Sequence, residues 1–214
     1  MDFILFLFVP IAKLDGEKAG EKIKVRDLIT QKTFWIMMLM MLCAGASEQV
    51  VSQWASAFAE KGLGLTKQLG DLLGPMLFAV CMGTSRTVYG KMGHRLDLKK
   101  FMNASVALCI GAYLVIILIP NPVITLLGTG IAGFAVGIFW PGTFSLASAG
   151  IKGSGTLMFA LLALAGYLGC SGGPSLAGAI MYASGGNMML GFGAAIIFPV
   201  LMGIGLYTAD KKIY

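Results

Sequence analysis

The stretch 101–119, FMNASVALCIGAYLVIILI, runs nineteen residues without one charged side chain. As an α-helix rising about 1.5 Å per residue it would extend about 28 Å, which matches the roughly 30 Å hydrocarbon core of a bilayer. Its flanks fit a membrane crossing. The basic loop Gly90-Lys91-Met92-Gly93-His94-Arg95-Leu96-Asp97-Leu98-Lys99-Lys100 leads into it, and Pro120-Asn121-Pro122 leads out of it into another apolar run. So short a connection makes the two flanking helices antiparallel neighbours.

Working outward, six such runs can be read, at 33–58, 69–89, 101–119, 123–147, 156–182 and 188–208. The 214 residues are 57% hydrophobic and only 12% charged, against about 25% charged in soluble domains, and mean hydropathy is +0.83. Barrel strands would appear as short alternating segments, whereas these runs are continuously apolar. The expected fold is therefore an all-α membrane protein, a single six-transmembrane-helix bundle over 33–209 embedded in a lipid bilayer. Residues 210–214 read as a cytoplasmic tail and 13–32 as a charged cytoplasmic linker, with a short surface helix as one option. Residues 1–12 are apolar but about 18 Å long as a helix, too short to cross, and read as the remnant of a preceding span.

The net charge of +6 is a matter of topology rather than of nucleic-acid binding. Lys13, Lys18, Lys22, Lys24, Arg26, Lys32, Lys91, Arg95, Lys99, Lys100, Lys152, Lys211 and Lys212 fall on one set of alternate segments, and only Lys61 and Lys67 on the other. Thirteen against two is a strong positive-inside bias. It predicts a cytoplasmic C-terminus in the cell membrane, taken as a bacterial inner membrane. Cys43, Cys81, Cys109 and Cys170 lie inside runs with no metal-type spacing, and read as small buried residues. No phosphate-binding G-x-x-x-x-G-K-[ST] or H-E-x-x-H occurs, so neither an enzyme nor a cofactor or metal is expected.

Glu48 stands out, a carboxylate about 22 Å into the first run, where burying a charge costs several kcal/mol. At about 100° per residue, Glu48, Gln49, Ser52, Gln53 and Ser56 share one arc, with Trp54 outside it. This stripe lines either a binding cavity or a packing face held by interhelical hydrogen bonds. Asp71 is expected in the first turn of the next helix, favoured by its dipole. Arg86, near that helix's other end, either snorkels or serves a cavity. In the fourth run Gly128, Gly130, Gly133 and Gly137 suit close helix contact, Pro141 suits a kink, and Phe139 and Trp140 lie too deep for an interfacial belt. Trp140 could stack on a sugar-like or aromatic ligand. In the fifth run Ala165, Gly169, Gly173 and Ala177 make a ridge of small residues beside Pro174, which implies a tight contact and a hinge. Tyr167 suits a cavity and a core equally. His94 reads as a solvated loop residue.

The 90–100 loop resembles the cytoplasmic signature of the major facilitator superfamily, G-x-x-x-D-R-x-G-R-[KR]-[KR], through Gly90, Arg95, Lys99 and Lys100. His94, Asp97 and Leu98 depart from it. Residues Gly137 to Leu146 resemble that family's G-x-x-x-P-x-x-F-S-L pattern, and Gly169-x-x-x-Gly173-Pro174-x-x-x-Gly178 its glycine-proline motif. The resemblance implies half of that fold, helices seven to twelve, with the remnant at 1–12 as helix six and a missing N-terminal six-helix half as partner. It implies secondary active transport of a small-molecule solute, a sugar or related metabolite, by ion-coupled alternating access. Glu48, Gln49, Ser52, Gln53, Arg86, Trp140 and Tyr167 would lie on the path, with Gly90, Arg95, Lys99 and Lys100 as a gating loop and Gly169, Gly173 and Pro174 as hinge and packing. The alternative is a non-transporting scaffold or assembly subunit that grips a partner membrane protein with the same stripe.

Overall fold

In a computed structural model, which describes residues 25–63, 66–93, 97–119, 121–151 and 155–213, each of the six runs is helical, and no strand occurs among the described residues. A five-residue helix, α1 (Val25–Ile29), is followed by α2 (Lys32–Leu63), α3 (Lys67–Met92) and α4 (Leu98–Leu118). The fourth run divides into α5 (Pro122–Val136) and α6 (Phe139–Gly150). Then come α7 (Thr156–Ala183) and the divided sixth run, α8 (Met188–Ala195) and α9 (Ile197–Ile213). The expected remnant at 1–12, most of the linker and loop residues His94 and Arg95 lie outside the described residues. α1 is the short helix allowed for in the linker, and α9 carries helix through to Ile213, into the residues read as a tail.

Local chemistry starts these helices where they start. Thr66, Asp97, Asn121 and Asn187 are N-caps in extended conformation, and their side chains accept from the first free N–H groups of α3, α4, α5 and α8. Asp97 thus has a structural job in the basic loop: its carboxylate accepts from Lys99 N and Lys100 N at 3.0 and 3.3 Å. Gly185 and Gly186, at φ 73° and 91°, supply the left-handed turn between α7 and α8.

The two divided runs share one cause. A proline in a helix lacks the N–H that would bond the carbonyl four residues earlier. Pro141 therefore strips Gly137, and α5 ends at Val136; Pro199 strips Ala195, and α8 ends there. The break in the fourth run falls four residues before the proline rather than at it.

Five segments are long and apolar enough to cross a membrane by length and composition: Lys32–Ala57, Leu98–Leu118, Val123–Gly150, Thr156–Ala183 and Met188–Ala209. The remaining run, the second, is α3, 26 residues long and ample in length, but Asp71, Thr84, Ser85, Arg86 and Thr87 make it more polar. It packs between α2 and α5 as a full member of the bundle. α2 is the central helix, touching α3, α5, α6, α7, α8 and α9 and burying Met37, Met40, Met41, Ala44, Val50 and Val51 completely. Outward-facing leucines such as Leu108, Leu114 and Leu118 fit a lipid surround, since acyl chains are as apolar as leucine.

The largest interface, α2 on α7, is built by absence of side chains. A Cβ on Gly45 would strike the Gly166 carbonyl oxygen, one on Gly169 the Leu42 carbonyl oxygen, and one on Gly173 would lie 2.8 Å from Ala46. The ridge expected at Gly169 and Gly173 is thus a packing seam, and α7 runs unbroken through Pro174. Gly133 and Gly137 in turn seat on Phe78 and on Met82 and Ser85 of α3. Gly70 and Gly74 seat α3 on α2, a contact not foreseen although its four-residue spacing stands in the sequence.

Candidate functional site

The 32-residue α2 carries Glu48 at its middle, on the side turned toward α3, α6 and α7. Arg86 of α3 reaches across with Nη2 4.0 Å from Glu48 Oε2; the two side chains are 45% and 16% exposed. At that separation the pair attracts without a hydrogen bond. The stronger directional contact of the guanidinium is elsewhere: Arg86 Nε donates to the Gly137 carbonyl at 3.1 Å. That carbonyl is the one Pro141 deprives of its in-helix donor, so Arg86 satisfies an acceptor that the helix break exposes.

Trp140, the second residue of α6 just past the break, brings an indole N–H toward the Glu48 carboxylate. Trp140 Nε1 and Glu48 Oε2 are both buried, and neither has a hydrogen-bond partner. Buried polar groups are almost always paired, and each unpaired one costs about 1–3 kcal/mol, so these two atoms mark open capacity to bind. The tryptophan ring lies over Gly166 of α7, where a Cβ would strike its outer edge. It meets Tyr167 edge-on at 5.8 Å and Phe144 at 6.4 Å. Cys170, one turn beyond Gly166, also lies in the field of Glu48. The ensemble is one acid, one base, an indole N–H and an aromatic wall. It can hold a solute that offers a donor, an acceptor and an apolar face. Among the described residues no three His, Cys, Asp or Glu side chains gather to hold a metal ion.

Residues 3–174 match the profile described as Major Facilitator Superfamily. The chain belongs to the major facilitator superfamily. Two solved structures share the fold. The bacterial homolog of the human lysosomal transporter Spinster, inward-facing and unoccupied, superposes with a TM-score of 0.68 at 17% identity, covering 99% of this chain and 56% of that one. Its inward-facing, occupied form gives 0.67 at 14% identity, covering 98% and 54%. No curated protein matches the chain. The chain spans little more than half the length of the solved transporter chains it matches.

Within this superfamily fold, four of the residues singled out in the sequence come together: Glu48, Arg86, Trp140 and Tyr167. Gln49, Ser52 and Gln53 occupy the adjoining turns of α2, where Gln53 Nε2 donates to Gln49 Oε1 at 3.4 Å. Farther along, the Ser56 hydroxyl donates to Asp71 Oδ1. This corrects the expected role of Asp71: α3 begins at Lys67, its first turn holds no acidic residue, and Asp71 serves as a side-chain tie to α2. Of the basic loop, Gly90 lies exposed in the last turn of α3 and Lys99 and Lys100 in the first turn of α4, while Arg95 lies outside the described residues. Three participants went unnoticed in the sequence. The Gly137 carbonyl was foreshadowed by Pro141 four residues on, and Cys170 had no signal beyond its place one turn from Gly166. Trp54, set outside the polar arc, has a buried N–H without a partner and faces Gly178 of α7.

Proposed function

We propose that this chain forms helices seven to twelve of a major facilitator carrier, which moves a small solute across the cell membrane by alternating access against a six-helix N-terminal half. In this reading the two halves rock about a midplane site, and Glu48, Arg86, Trp140 and Tyr167 are this half's wall of it. The observation that carries the reading is a pair of buried atoms that make no hydrogen bond, Glu48 Oε2 and Trp140 Nε1, with the half-exposed Arg86 4.0 Å from that carboxylate. A site of this kind inside a membrane protein faces a cavity rather than lipid.

The solute class is a hydroxylated metabolite of the sugar kind. A hydroxyl both donates and accepts, so it would satisfy Glu48 Oε2 and Trp140 Nε1 together, while a ring face would stack on the indole. The opposed charges of Glu48 and Arg86 suit a solute without net charge. An ion gradient drives the cycle as a symport, with Glu48 as the group that takes the ion. Gln49, Ser52 and Gln53 continue the polar wall, Gly90, Arg95, Lys99 and Lys100 form a cytoplasmic gating loop, and Gly169, Gly173 and Pro174 pivot the bundle. The C-terminus is cytoplasmic, as the thirteen-to-two bias of basic residues argues.

The test is uptake of radiolabelled monosaccharides and disaccharides into vesicles carrying the chain with and without its six-helix partner. Gradient-dependent uptake with both halves, absent from either alone, is the expected result. Crosslinking of a cysteine placed at Gln53 to an unrelated membrane protein, unaffected by any solute, would instead mark the chain as an assembly subunit.

A further inference from the structure

Arg86 faces two oxygen partners that belong to different helices and differ in kind, one by charge and one by hydrogen bond. One is the Glu48 carboxylate of α2, at 4.0 Å from Nη2. The other is the Gly137 carbonyl at the α5–α6 break, at 3.1 Å from Nε, orphaned because Pro141 carries no N–H. We propose that Arg86 is a positioning residue that ties the charge state of Glu48 to the break in the fourth span: neutralising Glu48 frees the Gly137 carbonyl and lets α5 and α6 move against each other.

The physical chain is short. Arg86 is 45% exposed, so its long side chain has a route outward, and the carboxylate is the counter-charge that holds the guanidinium among the helices. The groups facing Glu48 from the packed elements are Arg86 on α3, Trp140 on α6 and Cys170 on α7; of these only Arg86 carries a fixed charge. Once a proton, a coupling cation or a donor from the solute takes the carboxylate, the attraction that seats the guanidinium is lost. The Gly137 carbonyl then has no donor from its own helix. The Gly142 N–H to Ile138 carbonyl bond, at 2.7 Å, closes the first turn of α6 and does not reach back to α5. α5 seats on α3 through Gly133 and Gly137 and on α4 through Gly128, while Gly142 of α6 seats on Met102 of α4, so loosening this joint lets α6 shift against an α5 that α3 and α4 hold from two sides. The occupancy half of the idea rests on the carrier reading. The strut itself does not, and its test reads the backbone rather than uptake, so the two fail separately.

The experiment is amide hydrogen exchange of the 136–144 segment, read by mass spectrometry on the full chain in nanodiscs of phosphatidylethanolamine and phosphatidylglycerol. Glu48→Gln imitates the neutralised carboxylate and leaves the arginine in place. The expected result is about tenfold faster exchange at the break than in the unsubstituted chain, because the joint opens more often once the side-chain bond that braces it is lost. Arg86→Lys, which lacks the Nε–H that bonds the Gly137 carbonyl, produces the same acceleration. Pro141→Ala restores a donor to Gly137, and in that background neither substitution changes the exchange. Unchanged exchange in Glu48→Gln overturns the proposal, and so does an equal acceleration with and without Pro141→Ala. Should Arg86→Lys fail to fold, the Glu48→Gln and Pro141→Ala pair decides alone.

Discussion

The α2–α7 seam and the Glu48–Arg86 site lie within a few turns of each other and are built on opposite terms. At the seam, Gly45, Gly166, Gly169 and Gly173 remove side chains so that backbone meets backbone, and nothing is left open. At the site, Glu48 Oε2 and Trp140 Nε1 are buried without a hydrogen bond, and Arg86 approaches the carboxylate only to 4.0 Å. Without a hydrophobic force between helices in lipid, close van der Waals contact between small residues holds such bundles together. A seam of that quality lets the neighbouring site keep polar atoms unsatisfied without losing the fold. The difference teaches where the molecule is rigid and where it has capacity left for a solute.

The comparison breaks most visibly at Gly169. Overpacking costs about 1–3 kcal/mol where side chains can yield, but here the obstacle is the Leu42 carbonyl, so Gly169→Val should abolish the folded, monodisperse peak in detergent chromatography. Gly172, three residues on with nothing within 4 Å, is the control. Gly172→Ala should hold or raise Tm by the ~1 kcal/mol that alanine gains over glycine in a helix. A common outcome for both would mean that α7 does not pack on α2 as described.

At the site the expectation inverts. Glu48→Gln should leave Tm unchanged or higher, because a poorly paired charge is removed from the bundle, yet cut uptake by the assembled carrier tenfold or more. A marked fall in Tm would mean that Glu48 is a structural residue and the site a packing contact. Smaller effects sharpen the boundary between the two regions. Asp97→Ala should cost about 1 kcal/mol through the lost α4 cap, visible as a lower denaturation midpoint with uptake per folded molecule preserved. Tyr113→Phe removes the buried hydroxyl that donates to the Ser47 carbonyl at 3.0 Å; it should also cost about 1 kcal/mol, showing that a satisfied polar group next to Glu48 contributes stability rather than transport.

What could be read without coordinates followed the same division. Continuous apolar runs announce spans, and a charge within one is conspicuous, so Glu48 and Arg86 were legible, as were the small-residue ridge on α7 and the tryptophan at position 140. Their meeting was not legible, because it depends on the rotation of α2 against α3 and on a break whose position follows from a missing donor at Pro141 rather than from the proline itself. Asp71 went astray for a related reason: helix α3 starts at Lys67 behind the Thr66 cap, which moves Asp71 out of the first turn and into reach of Ser56. Asp97, a departure from the family's loop pattern, is explained by the helix it caps.

The most direct test of the central claim is radiolabelled sugar uptake into proteoliposomes holding this chain with its six-helix partner, measured with and without an imposed ion gradient and repeated with Glu48→Gln. Gradient-dependent uptake that needs both halves and collapses in Glu48→Gln is the predicted result. Uptake by this chain alone, or uptake indifferent to Glu48, would contradict the account.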